Sequence, residues 1–314
     1  MYYVGIDLGG TNIAAGLVDE SGKILADISI PTGAERDYKE IVKDMADVSK
    51  KVIAKAGVSE SEVKAVGIGC PGSIDNANGV CTYANNLNME HAQIAKEFRK
   101  YFDVPVNLEN DANAAAYGEY EINGNGAKSF VFVTLGTGVG GGVVLDGKIF
   151  RGFNGVGAEI GHTVMVSDGE QCSCGRKGCW EAYASVTALI RQTKAAMEKN
   201  PNSLMHKFAE DEGKVSGMTA FLAAKQGDEA GQAVVDKYFE YVGEGITNMV
   251  NIFQPEKIVI GGSISKEGDY LLKPIREFVA KNDYNRYMPK AQIEIATLFG
   301  DAGIIGAALS AKRD

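Results

Sequence analysis

Basic residues are scarce in this 314-residue chain, which has 32 Lys and Arg against 41 Asp and Glu and a formal net charge of -9. The sequence also has no run of basic residues. Because nucleic acids and anionic membranes are bound through clustered cations, the composition argues against either as the main partner. Any phosphate that the protein binds must then be held by backbone N–H groups or by a metal ion.

Long apolar runs are absent as well, and no stretch approaches the length of a membrane-spanning helix. The first ten residues, MYYVGIDLGG, contain no basic segment and begin a strand-like pattern at once, so we expect no secretory signal and a cytoplasmic location. The composition is 45% hydrophobic and 23% charged, which is typical of a globular protein. A chain of this length can form two domains.

Cysteine is rare, with five residues, yet three of them are Cys172, Cys174 and Cys179. Structural zinc takes four N or S ligands in a tetrahedron, and His162 with these cysteines supplies that number. Scattered buried or disulfide-bonded cysteines are the alternative. The C-x-C and C-x4-C spacings, in a chain without a secretory signal, favour a zinc loop over residues 162–179.

Glycine is abundant, at 39 residues, and is concentrated in clusters. The first cluster is the DLGGTN segment that begins at Asp7, between two strand-like segments, and it predicts a β-hairpin with a glycine tip. Gly9 and Gly10 would let backbone amides approach an anion, and Thr11 and Asn12 add side-chain donors. Asp7 could hold a metal-bound water. An ordinary hairpin turn is the alternative for this segment alone.

A second glycine hairpin begins at Phe130, and its tip contains Gly136, Thr137 and Gly138. The G-x-G-x-x-G pattern there is similar to a dinucleotide-binding fingerprint. That fingerprint must open a helix, however, and here the glycines are followed by another strand-like segment at 143–145. We therefore interpret this segment as a hairpin and not as a dinucleotide site.

The two hairpins form an internal repeat. Residues 4–11 align with residues 131–138, and Asp19 then falls on Asp146 at the same offset. Two such tips on facing walls of one cleft could clamp a chain of phosphates with backbone N–H groups from both sides. Together with Mg²⁺, that clamp would suit ATP in a protein of negative charge.

Polar residues follow a predicted strand at 104–108 in the segment that runs from Glu109 to Asn113. An Asn or Asp before an alanine-rich helix usually caps that helix. Here Asn110 and Asp111 stand together, and only one of them is needed as a cap. A carboxylate at this place could accept a proton from a substrate hydroxyl. Capping and catalysis both stay open for Asp111 on this reasoning.

A third glycine turn, at Gly261 and Gly262, follows a predicted strand at 257–260, and an adenine could lie flat against its backbone. The last helix is rich in Gly and Ala, so we expect it to pack closely on the first domain. Apolar periodicity predicts helices over 38–56, 90–102, 185–198, 217–225, 228–253, 267–281 and 301–312.

The motifs of the chain are DLGGT at 7–11, ENDANAAAYGE at 109–119, LGTGVGGG at 135–142, AEIGH at 158–162, CSCGRKGCWE at 172–181, GGSIS at 261–265 and GDAGIIGAA at 300–308. Together they resemble the ROK family of sugar kinases and repressors, over essentially the whole chain. The activity that this resemblance implies is that of a bacterial glucokinase, which transfers the γ-phosphoryl group of ATP to the 6-hydroxyl of glucose.

The resemblance implies an α/β fold of the actin-like ATPase type, which is ribonuclease H-like, with two lobes around a cleft. The smaller lobe would comprise residues 1–115, completed by the C-terminal helix 300–314. The larger lobe would comprise residues 116–299 and contain the zinc loop. The resemblance also implies a homodimer or homotetramer that binds a hexose, ATP, Mg²⁺ and structural Zn²⁺.

The resemblance also assigns roles to single residues. Asp111 would be the general base for the sugar hydroxyl, and His162 would serve both zinc and sugar. The other implied sugar-binding residues are Gly72, Asn86, Asn110, Glu159 and Glu181. The implied residues for ATP and its phosphates are Asp7, Gly9, Gly10, Thr11, Asn12, Gly136, Thr137, Gly138, Gly261 and Gly262.

One departure from the family pattern is Met89, which stands where glucokinases of this family usually have tryptophan. It leaves open another hexose as substrate: N-acetylmannosamine, N-acetylglucosamine, allose or fructose. The phosphoryl donor is open too, since some relatives accept polyphosphate. A sugar-responsive repressor is a rival of another class, which the acidic composition disfavours. An inactive zinc scaffold is disfavoured because three glycine turns would then lack a purpose.

Overall fold

A computed structural model describes residues 1–312. Its strands are β1 (Tyr2–Leu8), β2 (Asn12–Asp19), β3 (Ile24–Pro31), β4 (Val63–Cys70), β5 (Ser73–Asp75), β6 (Val80–Ala84), β7 (Met89–Ala92), β8 (Val106–Asn110), β9 (Ser129–Leu135), β10 (Val139–Leu145), β11 (Lys148–Ile149), β12 (Lys257–Gly261) and β13 (Gln292–Ile295). Its helices are α1 (Tyr38–Lys55), α2 (Ile94–Phe98), α3 (Asp111–Asn123), α4 (Glu181–Ala184), α5 (Val186–Lys199), α6 (Met205–Asp211), α7 (Thr219–Lys225), α8 (Glu229–Phe253), α9 (Asp269–Asn282) and α10 (Ala302–Ser310). None of the helices within residues 1–312 has the length and apolar character needed to cross a membrane.

The first sheet has the strand order β3-β2-β1-β4-β8. Its first three strands in the chain pair antiparallel, whereas β1, β4 and β8 run parallel. Asp7 pairs in register with Gly69, and Cys70 pairs with Asn110. Since parallel strands end at the same edge of a sheet, residues far apart in the sequence meet there. In open α/β sheets this carboxyl edge is where ligands bind.

The second sheet has the order β11-β10-β9-β12-β13. Counted within each sheet along the chain, both orders are third, second, first, fourth and fifth strand. β12 and β13 run parallel, as do the last two strands of the first sheet. The glycine hairpins are the first two strands of each sheet. The internal repeat predicted from the two hairpins is thus confirmed in the topology.

By internal contacts the described chain divides into two compact units. Of the described residues, the first unit contains 1–130, 142–158 and 297–312, and the second contains 131–141 and 159–296. The boundary between lobes that the sequence predicts, near residue 115, stays a prediction about the functional lobes.

Helix α10 packs on α3 and on the first sheet. The approach is close: a Cβ at Gly67 would overlap the carbonyl oxygen of Ala307, and one at Gly306 would overlap that of Ala114. Only glycine allows the backbones to come so near. The prediction that a last helix rich in Gly and Ala packs on the first domain is confirmed.

The predicted helix over 90–102 is wrong. Met89–Ala92 is strand β7, which pairs with β6 in a small three-stranded sheet, and only Ile94–Phe98 is helical. His91 has φ of 47°, a left-handed conformation that a helix does not admit. The pairing with β6, a strand outside residues 90–102, stabilises a strand here in place of the predicted helix.

Candidate active site

Two aspartates lie at the carboxyl edge of the first sheet. Asp7 is the residue before the end of β1, and Asp111 begins α3 directly after β8. Gly69 of the intervening strand pairs with Asp7, and a Cβ on Gly69 would lie 3.6 Å from the Cα of Asp111. Its small size therefore allows the two acidic residues to approach across the central strand.

Asn110, and not Asp111, caps helix α3. Its side-chain oxygen accepts a hydrogen bond from the N–H of Asn113 at 3.1 Å, which satisfies one of the unpaired donors at the helix start. Asp111 occupies the first helical position, where one carboxylate oxygen accepts from the N–H of Ala112 at 2.9 Å. The sequence left capping and catalysis open for Asp111, and the structure assigns the capping to its neighbour.

The environment of the two aspartates disfavours their charged forms. Burial, and after it the negative charge of Asp111, raises the pKa of Asp7 from 3.8 to about 6. Burial also raises the pKa of Asp111, although the hydrogen bond from Ala112 opposes this shift. A carboxylate of raised pKa is a better proton acceptor, and two of them together attract a cation.

Replacing Asp7 by Asn is expected to raise the free energy of unfolding, most strongly above the folded-state pKa of about 6. The native state binds the extra proton between the unfolded pKa of 3.8 and this value, so the contribution of Asp7 to stability is lost as the pH rises through that window. The gain for Asn should be on the order of 2 kcal/mol at about pH 8 and shrink towards about pH 4. Urea unfolding without added magnesium measures it.

The control for this variant is Asp19→Asn in the same sheet. The pKa of Asp19 is lowered, chiefly by a hydrogen bond from the Ser21 hydroxyl, so its loss should reduce stability at about pH 8. A gain for both variants, or a gain at Asp7 that does not change with pH, would contradict the electrostatic origin of the effect.

The tip of the first hairpin is held by Thr32, the residue that follows β3. The N–H of Gly9 donates to the carbonyl oxygen of Asn12 at 2.9 Å. The hydroxyl of Thr32 donates to the oxygen of Gly9 at 2.7 Å, and its N–H donates to the oxygen of Thr11 at 2.9 Å. Thr32 thereby holds the carbonyl groups of Gly9 and Thr11, and the N–H of Gly9 is used within the tip.

Two of the predicted sugar positions meet in the first unit. Gly72 has φ of 91°, and a Cβ there would overlap the carbonyl oxygen of Tyr83. Its carbonyl oxygen accepts a hydrogen bond from the side-chain amide of Asn110 at 3.2 Å. Asn86 lies against the first tip, since a Cβ on Gly10 would be 3.4 Å from its carbonyl oxygen. Asn86, predicted for the sugar, is therefore a neighbour of the predicted phosphate tip.

The tip of the second hairpin is tied to the start of α5. The N–H of Gly136 donates to the oxygen of Gly138 at 3.0 Å. The N–H of Val186 donates to the oxygen of Gly136 at 2.8 Å, and the hydroxyl of Thr187 donates to that of Thr137 at 2.7 Å. The second tip is thus fixed through its carbonyl groups, as the first one is.

The third glycine turn lies beside this second tip. Gly262 has φ of 88°, and a Cβ there would overlap the backbone of Leu135, the residue before the tip. Gly261 packs against the ring of Phe132, at 2.7 Å from its position for a Cβ. The structure brings together the residues predicted for phosphate and for adenosine in the second unit.

The four predicted zinc ligands converge. The ligand atoms of His162, Cys172, Cys174 and Cys179 all lie within 4.8 Å of one another. The Sγ atoms of Cys174 and Cys179 are 3.6 Å apart, and Nδ1 of His162 is 3.7 Å from Sγ of Cys172. Tetrahedral zinc with ordinary bond lengths requires about 3.8 Å between sulfurs and about 3.6 Å between sulfur and nitrogen. All five cysteines are free thiols, so the donor set fits zinc and not a disulfide.

The predicted sugar-binding residues of the second unit flank this cluster. The N–H of His162 donates to the carbonyl oxygen of Glu159 at 3.1 Å. One carboxylate oxygen of Glu181 accepts from the hydroxyl of Ser173 at 2.9 Å, and the other accepts from the N–H of Val139 at 3.1 Å. Glu181 thereby connects the zinc loop to the second hairpin, a link that the sequence did not indicate.

A cavity of about 440 Å³ lies in the second unit between this hairpin and the zinc loop. Thr137 and Gly138 of the tip, Cys172 and Ser173 of the zinc loop, and Glu181 line it. The cavity places the predicted phosphate residues and a predicted sugar residue around one space.

Sequence reasoning missed Ser173, Arg151 and the N–H of Val139 as partners of site carboxylates. Arg151 contacts the buried Glu109 with its guanidinium group. Ser173 lies inside the C-x-C segment, which could have drawn notice to it. No pattern in the sequence marks the other two, because they reach the site through tertiary packing.

The duplicated sheet, with a glycine-tipped hairpin at the start of each copy, defines an actin-like ATPase fold. The zinc cluster that follows a Glu-x-x-His segment narrows this class, and the ROK family model matches residues 3–314. The chain belongs to the ROK family.

Similar proteins agree with this assignment. A glucokinase from Halalkalibacterium halodurans is 37% identical over 314 residues, which cover 99% of this chain and 95% of the relative. A glucokinase from Thermotoga maritima is 37% identical over 312 residues, which cover 99% and 97%. The crystal structure of a ROK family glucokinase from Streptomyces griseus, in complex with glucose and AMPPNP, has a TM-score of 0.84 at 35% identity and covers 100% of both chains.

Proposed function

We propose that this protein is an ATP-dependent glucokinase, which transfers the γ-phosphoryl group of ATP to the 6-hydroxyl of glucose. The likeness to glucokinases along nearly the full length of the chain supports this function. The main observation in its favour is the position of Asp111 at the carboxyl edge of the first sheet. Asn110 caps α3 in its place, and burial raises the pKa of the Asp111 carboxyl.

In the proposed reaction Asp111 accepts the proton of the 6-hydroxyl as that oxygen attacks the γ-phosphorus. The new O–P bond forms while the bond from phosphorus to the bridging oxygen breaks, and ADP leaves with that electron pair. Such a transfer needs positioning and neutralisation of charge more than covalent help from the protein. Closure over the sugar would exclude water and limit hydrolysis of ATP.

Phosphates would be held by the two glycine tips, and adenosine by the third turn. Mg²⁺, when bound, would neutralise charge on the transferred group. Asp7 would hold a water molecule of this ion, and because burial raises its pKa to about 6, a nearby cation would favour its ionised form. The residues proposed to bind ATP and its phosphates are Asp7, Gly9, Gly10, Thr11, Asn12, Gly136, Thr137, Gly138, Gly261 and Gly262.

Sugar hydroxyls would be bound by the polar residues that the sequence predicts for the sugar. Nδ1 is the ring nitrogen of His162 that faces the cysteines, so zinc would leave Nε2 for a sugar hydroxyl and fix the tautomer. The zinc ion itself would be structural. The other proposed sugar-binding residues are Gly72, Asn86, Asn110, Glu159 and Glu181, with Asp111 at the reacting hydroxyl.

Gly138→Ala should raise the KM for glucose by about tenfold or more, although Gly138 belongs to the phosphate tip. A Cβ there would overlap Oε2 of Glu181, so this carboxylate must move away from its hydrogen bond with Val139. Gly136→Ala in the same tip is the matched control, because a Cβ at that position meets no atom within 4 Å. Steady-state kinetics with both substrates varied compare the two.

The KM for glucose of the Gly136→Ala variant should stay within about twofold of the wild type. Equal glucose KM values for both variants would separate Glu181 from the sugar and remove it from the proposed set.

Further properties of the molecule are part of the proposal. We expect a cytoplasmic homodimer or homotetramer without affinity for nucleic acid, with functional lobes of residues 1–115 plus 300–314 and of residues 116–299. Met89, which stands where the family usually has tryptophan, is buried in the hydrophobic cluster of the first unit with 2% exposure. Met89 would therefore affect the choice of hexose only through the residues that pack around it.

A coupled assay of ADP formation over a panel of sugars tests the function. We expect the highest kcat/KM with glucose, above that with N-acetylmannosamine, N-acetylglucosamine, allose and fructose. Polyphosphate in place of ATP tests the donor in the same assay. Preference for another hexose would replace the substrate and keep the reaction. Absence of turnover together with binding to DNA would favour the repressor.

A further inference from the structure

Glu109 is a buried carboxylate at the end of β8, two residues before Asp111. Its side chain is only 1% exposed. Oε1 accepts hydrogen bonds from the N–H of Asn110 at 2.9 Å and from the side-chain amide of Asn113 at 3.3 Å. Glu109 therefore holds the residues on both sides of Asp111 through one oxygen.

The other carboxylate oxygen of Glu109, Oε2, is bound by Arg151. Nε and Nη2 of the guanidinium group both lie 2.7 Å from Oε2. Arg151 lies in the loop after β11, which is closed by a hydrogen bond from the N–H of Gly157 to the carbonyl oxygen of Arg151 at 2.9 Å. A buried carboxylate without a cation is unfavourable, and Arg151 supplies the positive charge that pairs with Glu109.

Charged and titratable groups around Asp111 come from each neighbouring strand. They are Asp7 from β1, Cys70 from β4 and Glu109 from β8. Arg151 is the cation that is paired within this group. Without it, Glu109 would be an unpaired buried anion directly beside the turn that carries the proposed base.

We infer that Arg151 is a positioning residue for the phosphoryl transfer, because through Glu109 it fixes the turn from Asn110 to Asn113 and thus the direction of the Asp111 carboxylate. This inference rests on the proposed function. Arg151 acts through Glu109 and not on the reacting atoms. A small displacement of a base lowers the rate steeply, since the reaction requires contact with the hydroxyl in a narrow range of geometry.

The test is Arg151→Met, which keeps the apolar stem and removes the cation. We expect kcat to fall by about 10- to 100-fold, while the KM values for glucose and ATP stay within about fivefold. Adding Glu109→Gln should then restore at least part of kcat. A neutral amide needs no cation, and its oxygen can still accept from the N–H of Asn110.

Lys290→Met is the matched control. Lys290 is 41% exposed and pairs at 2.7 Å with Asp283, whose side chain is 2% exposed, much as Arg151 at 33% pairs with Glu109. Lys290 lies outside the proposed site. This variant should lose stability in thermal unfolding to a degree similar to Arg151→Met, yet keep its kcat at a temperature where both are folded.

The outcomes are distinct. Normal kcat in Arg151→Met, with an active wild type, overturns the positioning role and leaves the glucokinase proposal intact. An equal loss of kcat in both variants reduces Arg151 to a structural ion pair and overturns the inference. A wild type that turns over no sugar of the panel overturns the proposed function, and the inference with it. A loss in Arg151→Met that the double variant reverses supports the inference.

Discussion

Asp111→Asn is expected to retain glucose binding and to lose turnover by about 10³-fold, within the usual range for removal of a general base. The amide matches the carboxylate in shape and can still accept from the N–H of Ala112, so the turn should keep its structure. It cannot take a proton from the 6-hydroxyl. Calorimetric titration with glucose and the coupled assay measure the two quantities separately.

Asp103→Asn is a suitable control, because Asp103 is exposed on the same unit and has no role in the proposed site. Its kcat should equal that of the wild type. In the wild type, kcat should fall as the pH drops below the pKa of Asp111, and this acid limb should lie above the ordinary 3.8 because burial raises that pKa. Turnover near the wild-type level in Asp111→Asn would remove the assignment of the base.

Loss of zinc is expected to weaken glucose binding more than ATP binding. Cys179→Ser removes one of four converging ligands at a position with 0% exposure. His162 then loses the metal that would fix its ring. Ser173, which donates a hydrogen bond to Glu181, would no longer be held in place by a metal-bound loop. We expect the Kd for glucose to rise by about tenfold or more, and that for ATP by less than about threefold. Calorimetric titrations of both ligands give the comparison.

A small effect on ATP is expected because Glu181 also contacts the second hairpin at Val139. Cys81→Ala is the control, since Cys81 is equally buried but lies outside the cluster. It should keep one zinc per chain, whereas Cys179→Ser should not. Equal losses of both affinities would mean that the loop serves overall stability. Less than about half an equivalent of zinc in the wild type, purified without chelator, would count against a closed structural site.

Local patterns were sufficient for the parts of the site that lie on contiguous segments. The cysteine spacing from Cys172 to Cys179 indicated a metal loop, and the described ligand atoms converge as zinc requires. The repeat of the two hairpins predicted a duplicated unit, and both sheets have the same strand order. These features could be predicted because turn geometry and ligand spacing are properties of neighbours in the chain.

Partners across long distances in the sequence could not be predicted. Glu109 and Arg151 are 42 residues apart, and so are Val139 and Glu181. Nothing in the two pairs of segments specifies that their polar groups meet. The failed helix over 90–102 has the same cause, since the pairing of β7 with β6 overrode local periodicity.

The sequence by itself determined the family, the four candidate zinc ligands, the glycine tips and the presence of a carboxylate at the end of a strand. Tertiary structure alone decided which of Asn110 and Asp111 caps α3. It also decided which groups surround Asp111, the residue that does not cap the helix. A cap requires only a polar residue before a helix, and either neighbour meets that requirement. The hydrogen bonds of Asn110 with Asn113 and Gly72, and the burial of Asp111, distinguish the two.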